Sequence, residues 1–230
     1  SILASMLAMA CLPMMAQKTG SKVQEKPDPN FQIYLCFGQS NMEGNAAIED
    51  IDRTGVNPRF QAMYAVDDKK AGWKKGQWHT AVPPQARPST GLTPVDYFGR
   101  KMVDNLPDSI KVGTITVAVG GASIDLFDKR TCKAYLKKQP DWMKNFASQY
   151  NGNPYARLIE LAKIAQKQGV IKGILLHQGE TNNGDVNWPN RVKTVYNDIL
   201  KELHLKAEDV PLLVGETVQK NQGGSCWQHI

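Results

Sequence analysis

The sequence predicts an α/β fold: three layers, helices on both faces of a mainly parallel sheet. Three observations predict it. Short apolar, β-branched runs recur at 31–37, 111–119, 170–176 and 210–214. Amphipathic helical segments alternate with them, and glycine-rich or polar clusters close the runs. Strands buried on both faces read as continuous apolar runs, and alternation with helices gives parallel pairing.

The first run, 31–37, is closed by Gly38, and Cys36 inside it is expected to be a buried core thiol. Thr93, Pro94 and Asp96 then form a helix start, with a capping hydroxyl, a proline suited to the first turn and a carboxylate at the positive end of the helix dipole. This helix is expected to end near Asn105. The run 111–119 ends in Gly120 and Gly121. Asn153 and Pro154 open the clearest helix, with Leu158, Leu161, Ala162 and Ala165 on one face and Gly169 past its end. The third strand, 170–176, follows. A helix over 189–203 then turns Val192, Val195, Tyr196, Ile199 and Leu203 inward, and 210–214 is the fourth strand. The stretch 45–92, rich in proline, glycine and aspartate and containing Trp73, Trp78 and His79, reads as an irregular excursion with short elements that lines a substrate cleft.

The chain has 230 residues, enough for one sizeable core. Its net charge of +6 comes from scattered lysines and arginines without a run of five or six, so the composition points away from nucleic acid as a partner. Residues 1–16 are almost wholly apolar, too short to cross a bilayer, and end at Ala16 before a polar stretch. They read as the apolar part of a secretory signal peptide, which predicts a secreted or periplasmic protein, or else as an N-terminal helix of the fold. Cys11 after Ala10 is a weaker hint of a lipoprotein. Residues 17–30 read as a flexible lead-in and 31–230 as the domain. The true start is expected upstream, since Ser1 is not a methionine. Cys132 and Cys226 are free to pair in an oxidising compartment, and no cysteine spacing matches a zinc motif.

Three polar clusters stand where strands end, the edge at which parallel α/β sheets bind ligands. Ser40 follows the first strand in Gly38-Gln39-Ser40-Asn41, a tight turn that gives a serine nucleophile a fixed place near backbone N–H groups. The same serine also fits an ordinary helix cap. Gly120 and Gly121 let backbone approach a ligand closely, and a glycine N–H there suits an oxyanion. After the third strand come His177, Gln178, Gly179, Glu180, Thr181 and Asn182. There Gln178 or Asn182 suits an oxyanion donor, and Glu180 suits the group that orients a catalytic histidine.

Together, residues 33–42, 118–124 and 177–182, with Val214-Gly215-Glu216 and Gly223-Gly224, resemble the SGNH-type hydrolases. Within these they resemble the carbohydrate esterase family 6-like acetylesterases acting on sialic acid or xylan. The resemblance implies a flavodoxin-like α/β/α sandwich and Ser40 as nucleophile. It implies an oxyanion hole of the Ser40 and Gly121 N–H groups with the Gln178 side chain, and Glu180 beside the base. Asn41 and Asn182 are weaker candidates for substrate contact. It implies an acetylated carbohydrate as the partner and no metal or organic cofactor. In that family the base is a histidine three residues after an aspartate near the C-terminus, and none of His79, His177, His204 and His229 has an aspartate at that spacing. The last strand and helix are therefore expected to be missing. The polypeptide is expected to be nearly inactive, with a residual ~10³–10⁴-fold over water. The alternative is a non-catalytic carbohydrate-binding relative or an inactive fragment. A nucleotide-binding protein is disfavoured, because neither glycine-rich phosphate motif is present.

Overall fold

The computed structural model describes residues 26–218 and residue 221. The apolar segment 1–16, residues 17–25 of the lead-in, and Cys11, Gly223, Gly224, Cys226 and His229 lie outside the described residues.

The elements in chain order are β1 (Phe31–Gly38), α1 (Ser40–Glu43), α2 (Asp50–Arg53), β2 (Phe60–Met63), β3 (Trp78–Thr80), α3 (Pro94–Asn105) and β4 (Lys111–Ala118). A 3₁₀ turn (Ile124–Leu126) leads to α4 (Cys132–Lys137), α5 (Asp141–Ser148), α6 (Pro154–Ala165), β5 (Val170–His177), α7 (Trp188–Leu203) and β6 (Leu212–Val214). The strands form one sheet in the order β3-β2-β4-β1-β5-β6, parallel throughout except for the β2–β3 pair. The expected fold class is the observed one.

Period-two alternation along β1 explains why it reads as an unbroken apolar run. Phe31, Ile33, Leu35 and Phe37 enter one core, shared with Leu158 and Leu161 of α6 and Val192, Val195 and Ile199 of α7. Tyr34 and Cys36 enter the other, shared with Val95 and Val103 of α3 and Phe60 of β2. Each fully buried aliphatic or aromatic side chain contributes about 1.5–3 kcal/mol, so both faces reward apolar residues and neither tolerates a register slip. Burial pushes the Cys36 thiol far above its usual range, as a core thiol requires.

The helix signals hold. Thr93 caps α3 through Val95 N–H, and Asp96 accepts the Thr93 N–H at 2.9 Å. Asn153 caps α6 through Ala156 N–H.

The short elements of the excursion 45–92 include β2 and β3, which extend the sheet. The excursion's aromatic residues serve packing rather than a cleft. Trp78 sits against Phe31 at 4.8 Å, at the start of β1, and its indole N–H donates to Gln168, just before β5. Both contacts lie at the amino end of the sheet, opposite Ser40. His79 stacks on Trp73 with centroids 3.8 Å apart, and burial pushes its pKa down. The strand expected at 210–214 is narrower, Leu212–Val214, because Val210 and Pro211 still belong to the loop leaving α7. No helix among the described residues is long and apolar enough to cross a membrane.

Candidate active site

The register places Gly38 opposite both Ala118 and His177, so β1, β4 and β5 end side by side. Their following loops meet at one place. Gly38 is required there by close approach: a Cβ on it would lie 2.1 Å from the His177 carbonyl oxygen and 2.9 Å from Met42 Cβ. The chain then turns at Gln39, whose N–H donates to the His177 carbonyl at 3.0 Å, and α1 begins at Ser40. The Ser40 hydroxyl is only half-buried and has no hydrogen-bond partner among the described residues.

Gln39 holds this corner together. Its buried side-chain oxygen accepts from Gln178 Nε2 (3.2 Å), Gly179 N–H (3.3 Å) and Thr181 N–H (3.2 Å). A single side chain thus ties the turn carrying Ser40 to the loop after β5.

Glu43 ties the same helix to the loop after β4. Its Oε1 accepts the Gly120 N–H at 3.1 Å and an Arg87 guanidinium N–H. Arg87 is 1% exposed, and its guanidinium lies 4.3 Å above the Phe146 ring. Burial pulls its pKa down from the ordinary value, but that value is so high that the group stays charged. Next in the loop, Gly121 has φ +69°, and a Cβ there would lie 2.9 Å from the Trp142 ring. The Gly121 N–H has no acceptor among the described residues, while its carbonyl accepts the Thr181 hydroxyl at 3.0 Å.

The loop after β5 departs from what the sequence suggests. Gln178 is completely buried. Its two amide hydrogens face three acceptors: Gln39 Oε1, the Ala122 carbonyl (3.2 Å) and Asn182 Oδ1 (2.7 Å). Its carbonyl oxygen accepts the Trp188 indole N–H at 2.5 Å. No donor remains for a substrate. Asn182 is tied down as well, its Oδ1 accepting from Gln178 and from Ile124 N–H (3.0 Å) while its Nδ2 donates to Asp185 Oδ2 at 3.4 Å. Both residues brace loops in this arrangement, and the buried Trp188 braces them in turn. Glu180 and Asn41 do face the corner: Asn41 Nδ2 donates to Glu180 Oε1 at 2.6 Å. His177 Nδ1 lies 3.7 Å from the same oxygen, and neither Nδ1 nor Glu180 Oε2, both buried, has a hydrogen bond among the described residues.

Gln39, Glu43 and Arg87 were not singled out from sequence. Gln39 carried a usable signal, a polar side chain between a buried strand and the serine. Arg87 carried none, lying in the excursion 44 residues from its partner. No described histidine hydrogen-bonds Ser40: His79 is across the sheet and His204 ends α7 in a left-handed turn. Among the described residues no group of three histidine, cysteine or carboxylate side chains is placed to hold a metal ion.

With this geometry in view, residues 30–230 match the family model described as carbohydrate esterase, sialic acid-specific acetylesterase. The chain belongs to this family. Solved structures share the chain's fold. A protein from Arabidopsis thaliana is 16% identical over 88% of this chain and 93% of that one, with a TM-score of 0.57. NanS is 17% identical over 85% and 70%, with a TM-score of 0.56. A carbohydrate acetylesterase from Xanthomonas citri is 20% identical over 79% of this chain and 40% of that one, with a TM-score of 0.53. At such identities the likeness is one of fold. The catalytic reading of this acetylesterase family member therefore rests on the family match and on its own corner of β1, β4 and β5 loops.

Proposed function

We propose that the protein hydrolyses acetyl esters on sugars, of the sialic acid or xylan type, through an acyl-enzyme on Ser40. The observation that carries this is the corner itself. An unbonded serine hydroxyl stands at the carboxyl end of the central strand, beside a loop whose Gly121 N–H is free of acceptors among the described residues.

The reaction is acyl transfer. In the full-length protein Ser40 Oγ attacks the acetyl carbonyl carbon as a general base, a role that no described histidine is placed to fill, takes its proton, and the charge on the carbonyl oxygen is met by the N–H groups of Ser40 and Gly121. The sugar hydroxyl leaves with that proton, and water then releases acetate by the same route. Gln178 acts here by holding the loops around Gln39, not by donating to the oxyanion. Glu180, bonded to Asn41, keeps its second oxygen available to a cationic or N–H partner at the corner.

The test is acetate release from O-acetylated xylosides and sialic acids by the full-length protein. Ser40→Ala is expected to lower the rate at least about a thousandfold. Rates equal in the two proteins would overturn the proposal.

A further inference from the structure

A cavity of about 380 Å³ opens beside the serine turn. Its wall includes Asn41, the residue after Ser40, and His177, the last residue of β5. Asn45, Leu92, Pro94 and Tyr97 complete the part that matters here. Resting on the esterase reading above, we propose that this cavity is the subsite for the pyranose ring that carries the acetyl group, with the Tyr97 ring as its platform.

The wall has the two kinds of surface a pyranose presents. Leu92, Pro94 and the Tyr97 ring offer apolar contact for the C–H face of a sugar, while the Asn41 and Asn45 amides offer donors and acceptors for its hydroxyl edge. Its size falls within the range of small-molecule sites.

Tyr97 shows the more telling feature. It is 44% exposed, yet it is held at two points. Its hydroxyl donates to Asp52 Oδ1 at 2.7 Å. The Arg100 guanidinium lies 5.4 Å from its ring centroid and is itself fixed on the carbonyls of Thr54 (3.3 Å) and Asp52. An exposed aromatic whose rotamer is set in advance loses little entropy when a ligand lands on it, as rigid aromatic anchors in binding sites do. The same bonds also staple α2 to α3, so the test must separate a staple from a platform.

The experiment is calorimetric titration of the full-length protein carrying Ser40→Ala, which keeps the ester intact, with an O-acetylated methyl xyloside and with an O-acetylated sialic acid. Saturable binding of either sugar is expected, and which one binds identifies the source of the ring. Adding Tyr97→Ala should weaken it about tenfold or more, while Tyr97→Phe, which loses the Asp52 bond but keeps the ring, should stay within about threefold. The platform is overturned if Tyr97→Ala binds as tightly as its parent, if Tyr97→Phe weakens binding as much as Tyr97→Ala, or if neither sugar binds. The esterase reading fails separately: Tyr97-dependent binding together with acetate release that survives Ser40→Ala leaves the subsite standing and removes the reaction.

Discussion

Glu43 performs two tasks with one carboxylate oxygen. It neutralises Arg87, which is buried away from the surface, and it fixes Gly120 one residue before the proposed oxyanion donor. Removing one partner of a buried pair is costly because the other charge stays behind uncompensated. Glu43→Ala is therefore expected to lower unfolding free energy by about 3–5 kcal/mol in denaturant titrations. The double replacement Glu43→Gln with Arg87→Met should recover much of that loss, because the bare charge is gone. A Glu43→Ala protein as stable as the parent would refute the buried pair. At this scale the sequence was legible where chemistry is local. Ser40, Gly121, Asn41 and Glu180 announce themselves as polar or glycine residues directly after apolar strands, and all four lie at the corner. Gln178 and Asn182 announce themselves equally well yet turn inward: the buried oxygen of Gln39 and the carbonyl of Ala122 compete for the Gln178 amide, and Asn182 is held by Gln178, Ile124 N–H and Asp185. Only three-dimensional hydrogen-bond accounting separates a donor offered to substrate from one already spent.

Among the elements, α3 carries a titration that the sequence signals but does not weigh. Thr93, Pro94 and Asp96 were readable as a helix start, and they form one. Burial, however, pushes the Asp96 carboxyl up to about 6, against the N–H of Thr93 and the amide of Gln85, which pull it down. A carboxyl whose folded pKa lies above its unfolded value holds its proton more tightly in the folded state. Stability from this group is full below the unfolded pKa, near 4, and is lost as pH rises to about 6. The expected loss is about 2–3 kcal/mol at most across that window, and Asp96→Asn should flatten it in unfolding curves taken between those values. A wild-type curve rising over the same window, with Asp96→Asn leaving it unchanged, would contradict this. The long strands and helices were legible because eight to sixteen residues of periodic pattern accumulate a signal. Strands of three or four residues, β2 and β3, do not, and β3 is set by its pairing with β2 and by Trp78 packing on Phe31. The short helices α4 and α5 also escaped, their few apolar positions being too sparse to mark a period.

For the molecule as a whole, the order β3-β2-β4-β1-β5-β6 explains why residues 40, 121 and 180 meet. The chain leaves β1 for β2 on one side, fills the gap with β4, and crosses β1 to reach β5, so the loops after β1, β4 and β5 converge at the carboxyl edge. The alternation of strands and helices implied a parallel sheet and that edge, but the strand order is a property of long-range packing and was not readable. Two cores, one on each face of β1, clamp the central strand, and Gln39 and Glu43 carry that rigidity into the serine turn. The account stands or falls on whether Ser40 takes the acetyl group. The direct measurement is mass spectrometry of the full-length protein quenched during turnover of an O-acetylated sugar. The prediction is one added acetyl group on the peptide containing Ser40, absent in Ser40→Ala. Steady acetate release with that peptide never modified, or with the acetyl group on another residue, would contradict it.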